Sequence, residues 1–169
     1  MKTIVLGGGR FWDIEAVFQR VAGIGEVVSG FAGGTLTQPT DADYGDHAEV
    51  VQLTYDSEII SLGKIMDIFL FVHNPTSVNR QGDDIGAQYR SVVLVNDYLE
   101  SDVIHRAIDG NRALWDSPII TEITLLDVFY PVASEQQNYF NNNQANPYCQ
   151  TVIIPKIAKF EKKFASSLR

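Results

Sequence analysis

Three short stretches of the 169-residue chain gather side chains that could do chemistry. The first is GGGRFW, residues 7–12, where a triple glycine closes an apolar strand and an aromatic pair opens a helix. Glycine-rich turns from strand to helix are places where proteins present a nucleophile or cradle an anion. The residue presented here is Arg10. The second stretch is DHAEV, residues 46–50, which sets Glu49 at the start of an apolar strand. A carboxylate in such a place needs a partner or takes on a raised pKa; otherwise it is a salt-bridged edge residue. The third is NRQGDDIGAQYRS, residues 79–91, in which Asp84 offers an acceptor and Tyr89 a phenolic donor, or the two only pin a loop. A Walker-type phosphate loop requires a lysine followed by serine or threonine, and a dinucleotide fingerprint requires spaced glycines. GGGRFWDIE satisfies neither.

The elements that would position these residues follow from hydrophobic periodicity. TIVLG reads as a buried strand, and Phe11, Ile14, Phe18 and Val21 then fall on one helical face. EVVSGFAGG is a second strand ending in glycines, residues 35–46 form a polar loop, and HAEVVQLTYD is a third strand. Leu62, Ile65, Phe69 and Val72 mark a helix that stops at HNP, because proline disfavours helix at the residue before it. SVVLVN is a strand, a helix runs from about Ser101 to Trp115, and IITEITLLDVFYPV is expected to be one long strand. SEQQNYF has Ser134 and Gln137 at capping-box spacing and opens a short helix. Pro155 suits the first turn of a final helix with Ile157, Phe160 and Phe164 inward. Alternating strands and helices on a chain of this length predict an α/β (α+β) two-layer sandwich around one sheet, in a single domain over residues 1–169.

Composition narrows the functional classes. At 45% hydrophobic residues, the chain supports one sizeable core. A net charge of −8 and a pI near 4.7 speak against nucleic acid and anionic membranes as partners. Lys156, Lys159, Lys162 and Lys163 form a basic patch that reads as the solvated face of the last helix. The single cysteine, Cys149, allows no internal disulfide, and one thiol with three scattered histidines makes no zinc cluster. The apolar run at the N-terminus is too short for a signal peptide, and no stretch approaches a membrane span, so a cytoplasmic protein is expected.

Together the motifs resemble a family. GG-R-FWDIE is similar to the Gly-Cys-Phe-Trp-x-x-Glu signature of type A peptide methionine sulfoxide reductases. FAGG, HAEVVQLTYD, HNPTSVNRQGDDIGAQYRS, PIITEI, FYPVASEQQNYF and NPYCQTVIIPKIAKFEKKF resemble its later blocks in the same order, from about Thr3 to Phe164. The resemblance implies a mixed sheet with a ferredoxin-like core. It also implies a chemistry in which a thiolate attacks the sulfur of methionine sulfoxide and a carboxylic acid matching Glu49 protonates the departing oxygen. Tyr89, with Asp84 behind it, would hold that oxygen, and Phe11 and Trp12 would wall the methyl group. The resulting sulfenic acid is reduced by a second cysteine or an external thiol, with thioredoxin or another dithiol sustaining turnover and no bound cofactor or metal.

On that resemblance Arg10 stands where the family places its nucleophilic cysteine. A guanidinium stays protonated and offers no nucleophilic electron pair. Loss of the nucleophile in a covalent mechanism costs about 10⁴- to 10⁶-fold in kcat. Asp46 replaces the family's usual glycine. The loop before it is about four residues short, so that Asp41 or Tyr44 falls near the position of a usual tyrosine. Cys149 matches a resolving cysteine, or is a partly buried packing residue. Three functions follow: a reductase-family protein without the ordinary activity that still binds a sulfoxide or similar small ligand, an active reductase using Cys149 or an external thiol, or a structural or interaction protein. Arg10 is expected to pair with Glu49 and to depress its pKa.

Overall fold

The computed structural model describes all residues, 1–169. Strand β1 (Lys2–Gly7) leads through a glycine turn into helix α1 (Phe11–Phe18), then β2 (Ile24–Ala32), β3 (Ala48–Tyr55) and α2 (Leu62–Val72). A two-stranded hairpin follows, β4 (Arg80–Gln81) and β5 (Asp84–Ile85), and then β6 (Val92–Val95) and α3 (Tyr98–Gly110). The chain ends with β7 (Glu122–Leu125), β8 (Tyr130–Pro131), α4 (Tyr139–Asn142) and α5 (Ile154–Lys163).

The main sheet has the order β7-β6-β1-β3-β2-β8 and is mixed: only the β6–β7 pair is parallel. Its centre, β6-β1-β3-β2, carries the two interleaved strand–helix–strand units of a ferredoxin-like core, as the resemblance implied. Alternation along the strands divides their side chains between two faces. Ile4, Leu6, Val51, Leu53, Val93 and Val95 join the principal core with Ile14, Phe18, Ile65, Phe69, Ile104 and Phe160 of the helices. Val5, Ala32, Ala48, Val50, Val92 and Leu94 point the other way and are covered by Leu126 and Phe129. Both faces being buried, these strands read as near-continuous apolar runs.

Three sequence expectations need correction. IITEITLLDVFYPV is two strands at opposite edges of the sheet, β7 beside β6 and β8 beside β2; the chain between them crosses the back face and supplies its apolar cover. The helix placed at about 101–115 starts earlier, capped by Asp97, whose side chain accepts from the Glu100 N–H, and gives way to a 3-10 turn at Arg112–Leu114. SEQQNYF is split by Asn138, whose φ of +54° separates a 3-10 turn from α4. Gln137 makes no capping box: its amide holds both backbone groups of Ser29 and so locks this segment to β2. Pro155 stands in the first turn of α5, as its missing N–H suits, with Ile157, Phe160 and Phe164 buried, and a π turn over Cys149–Ile153 leads into that helix.

Candidate functional site

The turn after β1 is built for close approach. A Cβ on Gly8 would lie 2.3 Å from His73 Cδ2, and Gly9 has φ +84°, which excludes most L side chains. The Gly9 N–H donates to the Tyr89 carbonyl at 3.1 Å, which ties the turn to the 3-10 segment Ala87–Tyr89. Arg10 occupies the N-cap position of α1 but its side chain does not cap the helix. Glu49 does so from β3, its Oε1 accepting from the Phe11 N–H at 3.2 Å. A helix start whose first N–H has no partner within the helix thus receives its acceptor from a neighbouring strand.

Arg10 does not pair with Glu49. Its Nε and Nη2 each donate to Asp84 at 3.0 Å, a two-pronged contact matching a planar guanidinium to a carboxylate on the β4–β5 hairpin. The guanidinium carbon stands 4.6 Å from the Tyr148 ring centre and 5.2 Å from that of Trp12. Asp84 raises the Arg10 pKa further above its ordinary value. Glu49 is also shifted opposite to expectation. Burial drives its carboxyl from 4.5 up to about 7, against the Phe11 N–H and the charge of Arg10, and Asp84 and Asp13 push it the same way as burial. Desolvation wins because Asp84 has already taken the guanidinium's best edge.

Arg10, Phe11, Trp12, Glu49 and Tyr89 line one pocket of about 270 Å³, joined by Phe31, Asp41, Tyr44 and Gln136. Phe11 packs edge-on to Phe31 at 5.9 Å, and Phe31 stacks on Tyr44 at 5.7 Å. Trp12 lies flat on Tyr139 at 3.8 Å and donates its indole N–H to Gln136. Both residues offered for the shortened loop, Asp41 and Tyr44, reach the pocket; the Tyr44 hydroxyl accepts from Gln88 Nε2 at 2.9 Å. Asp46 does not. It holds Thr35 through the backbone N–H at 2.7 Å and the hydroxyl, and those bonds lower its pKa. Cys149 is also absent from the pocket lining. It is fully buried in the principal core, where burial and Asp13 raise its thiol pKa.

Several residues beneath the site have partners that no motif discloses. Asp13, 2% exposed, accepts from the Tyr148 hydroxyl at 2.9 Å and from Lys156 Nζ at 2.8 Å. Lys156 is therefore half of a shielded ion pair, not part of a solvated stripe. Glu15 accepts from Ser29 Oγ and from the backbone N–H groups of Asn138 and Tyr139, and so sets the ring that stacks on Trp12. Their trace in the sequence is a pair of carboxylates flanking Ile14 within an otherwise apolar helix, Glu15 being the glutamate that ends FWDIE. No three His, Cys, Asp or Glu side chains gather as a metal site, and no helix is long and apolar enough to cross a membrane.

With this geometry in place, comparison with known proteins decides the family. The family model described as "Peptide methionine sulfoxide reductase" matches residues 2–168. The chain belongs to the type A peptide methionine sulfoxide reductases. It is 44% identical over 173 residues to "Peptide methionine sulfoxide reductase MsrA" of Trichodesmium erythraeum, covering 97% of this chain and 96% of the relative. Its fold is similar to that of reduced Mxr1 from Saccharomyces cerevisiae, with a TM-score of 0.79 at 28% identity over 89% of this chain and 90% of the other. Mxr1 in complex with Trx2 is a more distant match in fold, with a TM-score of 0.58 at 24% identity over 82% and 84% of the two chains. Family members are peptide-methionine (S)-S-oxide reductases, a class of oxidoreductase.

Proposed function

We propose that this family member does not carry out thiol-based sulfoxide reduction and keeps its pocket as a binding site for a methionine sulfoxide-like group. The observation that carries the reading is Arg10 itself: a guanidinium at the first position before α1, clamped by Asp84, where the resemblance puts the attacking thiol. Such a group cannot form the bond to sulfur. The other family-matched residues remain suited to holding a ligand. Phe11, Phe31 and Trp12 offer an apolar wall to a methyl group. Tyr89 and Glu49, the latter protonated over much of the range below neutrality, offer donors to an oxygen. Asp84, which in active relatives would stand behind that oxygen, serves here to fix Arg10.

The reading in which Cys149 replaces the missing nucleophile has little support. Its sulfur is sealed in the core and its thiol is held protonated by burial, whereas attack requires an accessible thiolate. An external thiol attacking bound substrate would have to approach past Arg10. Thioredoxin, a partner of active relatives, would find no sulfenic acid at position 10 to reduce. We take residues 1–169 to work as one domain and the cytoplasm as its compartment, consistent with a lone, unpaired and buried cysteine.

A single-turnover experiment tests this reading. Reduced protein is mixed with methionine S-sulfoxide without added thiol, and methionine and free thiol are both counted. No methionine should form, and Cys149 should remain a thiol. One equivalent of methionine released with loss of the Cys149 thiol would overturn the proposal.

A further inference from the structure

The pocket is rich in donors and poor in acceptors. Arg10 uses Nε and Nη2 on Asp84, while Nη1 makes no hydrogen bond within the chain. Tyr44 already accepts from Gln88, so its own proton is left to be given elsewhere. The Tyr89 hydroxyl faces the Gln88 amide, which acts on it as a donor, so its own proton too is left to be given elsewhere, and burial keeps that phenol protonated. The candidate acceptors are mostly taken: Asp84 by Arg10, Gln136 Oε1 by Trp12, and Glu49 Oε1 by Phe11. Asp41 stands exposed at the rim. A single sulfoxide oxygen cannot satisfy so many donors, whereas two oxygens on one atom can.

We propose that the pocket prefers a small alkyl oxyanion of the carboxylate or sulfinate type over a neutral sulfoxide, with one oxygen on Arg10 Nη1 and the other on the hydroxyl side formed by Tyr44, Tyr89 and Glu49. The inference rests on the ligand-binding reading above and names its chemical class. Arg10 is prepared for this role. Its edge is fixed by Asp84, and the adjacent rings of Tyr148 and Trp12 pack against it from one side, so less side-chain freedom remains to be lost on binding. The alkyl group would meet Phe11 and Phe31. Asp84 neutralises the formal charge of Arg10, yet charge-assisted bonds from the free edge of a guanidinium still favour an anionic acceptor over a neutral one.

Glu49 makes this preference pH-dependent. The groups acting on it are Arg10, Asp84, Asp13 and the Phe11 N–H, with Tyr89, Tyr44 and Asp41 around the same pocket. Below about 7 its carboxyl is protonated and can donate; above that it becomes an anion facing an anion. Oxyanion affinity should therefore fall as pH rises through neutrality, and binding in that range should take up a proton.

The test uses methanesulfinate and dimethyl sulfoxide, a size-matched pair, titrated into ¹⁵N-labelled full-length protein. Binding is followed at the Trp12 indole and Phe11 amide resonances. At about pH 6, methanesulfinate should bind at least about tenfold more tightly than dimethyl sulfoxide, and at about pH 8 it should lose roughly tenfold. Glu49→Gln should remove that pH dependence. The double variant Arg10→Met/Asp84→Asn, which leaves no bare carboxylate, should lose about tenfold or more for methanesulfinate and change by less than about threefold for dimethyl sulfoxide. Dimethyl sulfoxide binding as tightly as methanesulfinate, or a double variant that keeps its sulfinate affinity, overturns the inference and leaves the ligand-binding reading standing. Failure of both ligands to shift either resonance overturns both.

Discussion

Glu49 and Asp84 meet the same guanidinium on different terms. Asp84 binds it edge to edge, whereas Glu49 is turned to the Phe11 N–H and is governed by its own burial. Residue type and position suggested the Arg10–Glu49 pairing; only the placement of the β4–β5 hairpin makes Asp84 the partner. The raised Glu49 pKa carries a consequence for stability. Unfolded, it would titrate near 4.5, and folded near 7, so between those values the folded state holds the extra proton and stability falls as pH rises. Glu15, also raised by burial, acts in the same sense. His73 acts in the opposite sense: buried against Phe69 O and Ser91 Oγ, it is pushed from 6.5 down to about 3, so stability is lost as pH falls through that interval. In the parent the slopes of Glu49 and His73 oppose each other between about pH 4.5 and 6.5. Glu49→Gln should unmask the His73 slope, so that stability climbs with pH there by up to about 1.4 kcal/mol per unit, with the variant the more stable protein above neutrality. Urea unfolding across that range measures it, and an unchanged profile in the variant would contradict the burial of Glu49 as a neutral acid.

At the scale of elements, α1 is where site and core are joined. Its first turn presents Arg10, Phe11 and Trp12 to the pocket, while Asp13 and Glu15 face inward and hold Tyr148, Lys156 and the start of α4. The strands were legible in the sequence as short apolar runs and the helices by their 3.6-residue period, patterns that survive any change of partner. Boundaries set by tertiary contacts were not. Asn138 breaks a helix because Glu15 accepts from its backbone N–H, and IITEITLLDVFYPV divides because its middle must cover the back of the sheet. The basic patch on α5 shows the same limit: spacing cannot tell Lys156, paired with a buried carboxylate, from Lys163, which lies over the Phe71 ring. Lys156→Met should therefore cost about 2 kcal/mol, less than a fully sealed pair because Lys156 is partly exposed, by leaving Asp13 with only the Tyr148 hydroxyl. Lys162→Met, on the exposed face, should change stability by less than about 0.5 kcal/mol. Equal effects in chemical denaturation would mean that Asp13 does not depend on Lys156.

For the whole molecule, the ferredoxin-like core brings loops distant in sequence to one end of β1, where Gly9 meets Tyr89 and Phe11 meets Glu49. Family membership and the pocket residues were readable because their motifs run in order along nearly the whole chain. The partner of Arg10, the isolation of Cys149 and the contacts of the second rank of carboxylates were not, since each depends on which loops the fold brings together. The claim that Arg10 silences an otherwise retained site is tested most directly by restoring the thiol. Arg10→Cys would place a cysteine at a helix N-terminus, a setting that favours thiolate, beside a Glu49 protonated near neutrality and able to donate. The changed loop and the loss of any one oxygen-holding donor would keep the rate well below that of ordinary relatives, by about 10²- to 10³-fold for each such donor. The decisive measurement is turnover of methionine S-sulfoxide with excess dithiothreitol, comparing the parent with Arg10→Cys. No methionine from the parent and slow but detectable turnover from the variant is the predicted result; turnover by the parent at or above the rate of the variant would contradict it.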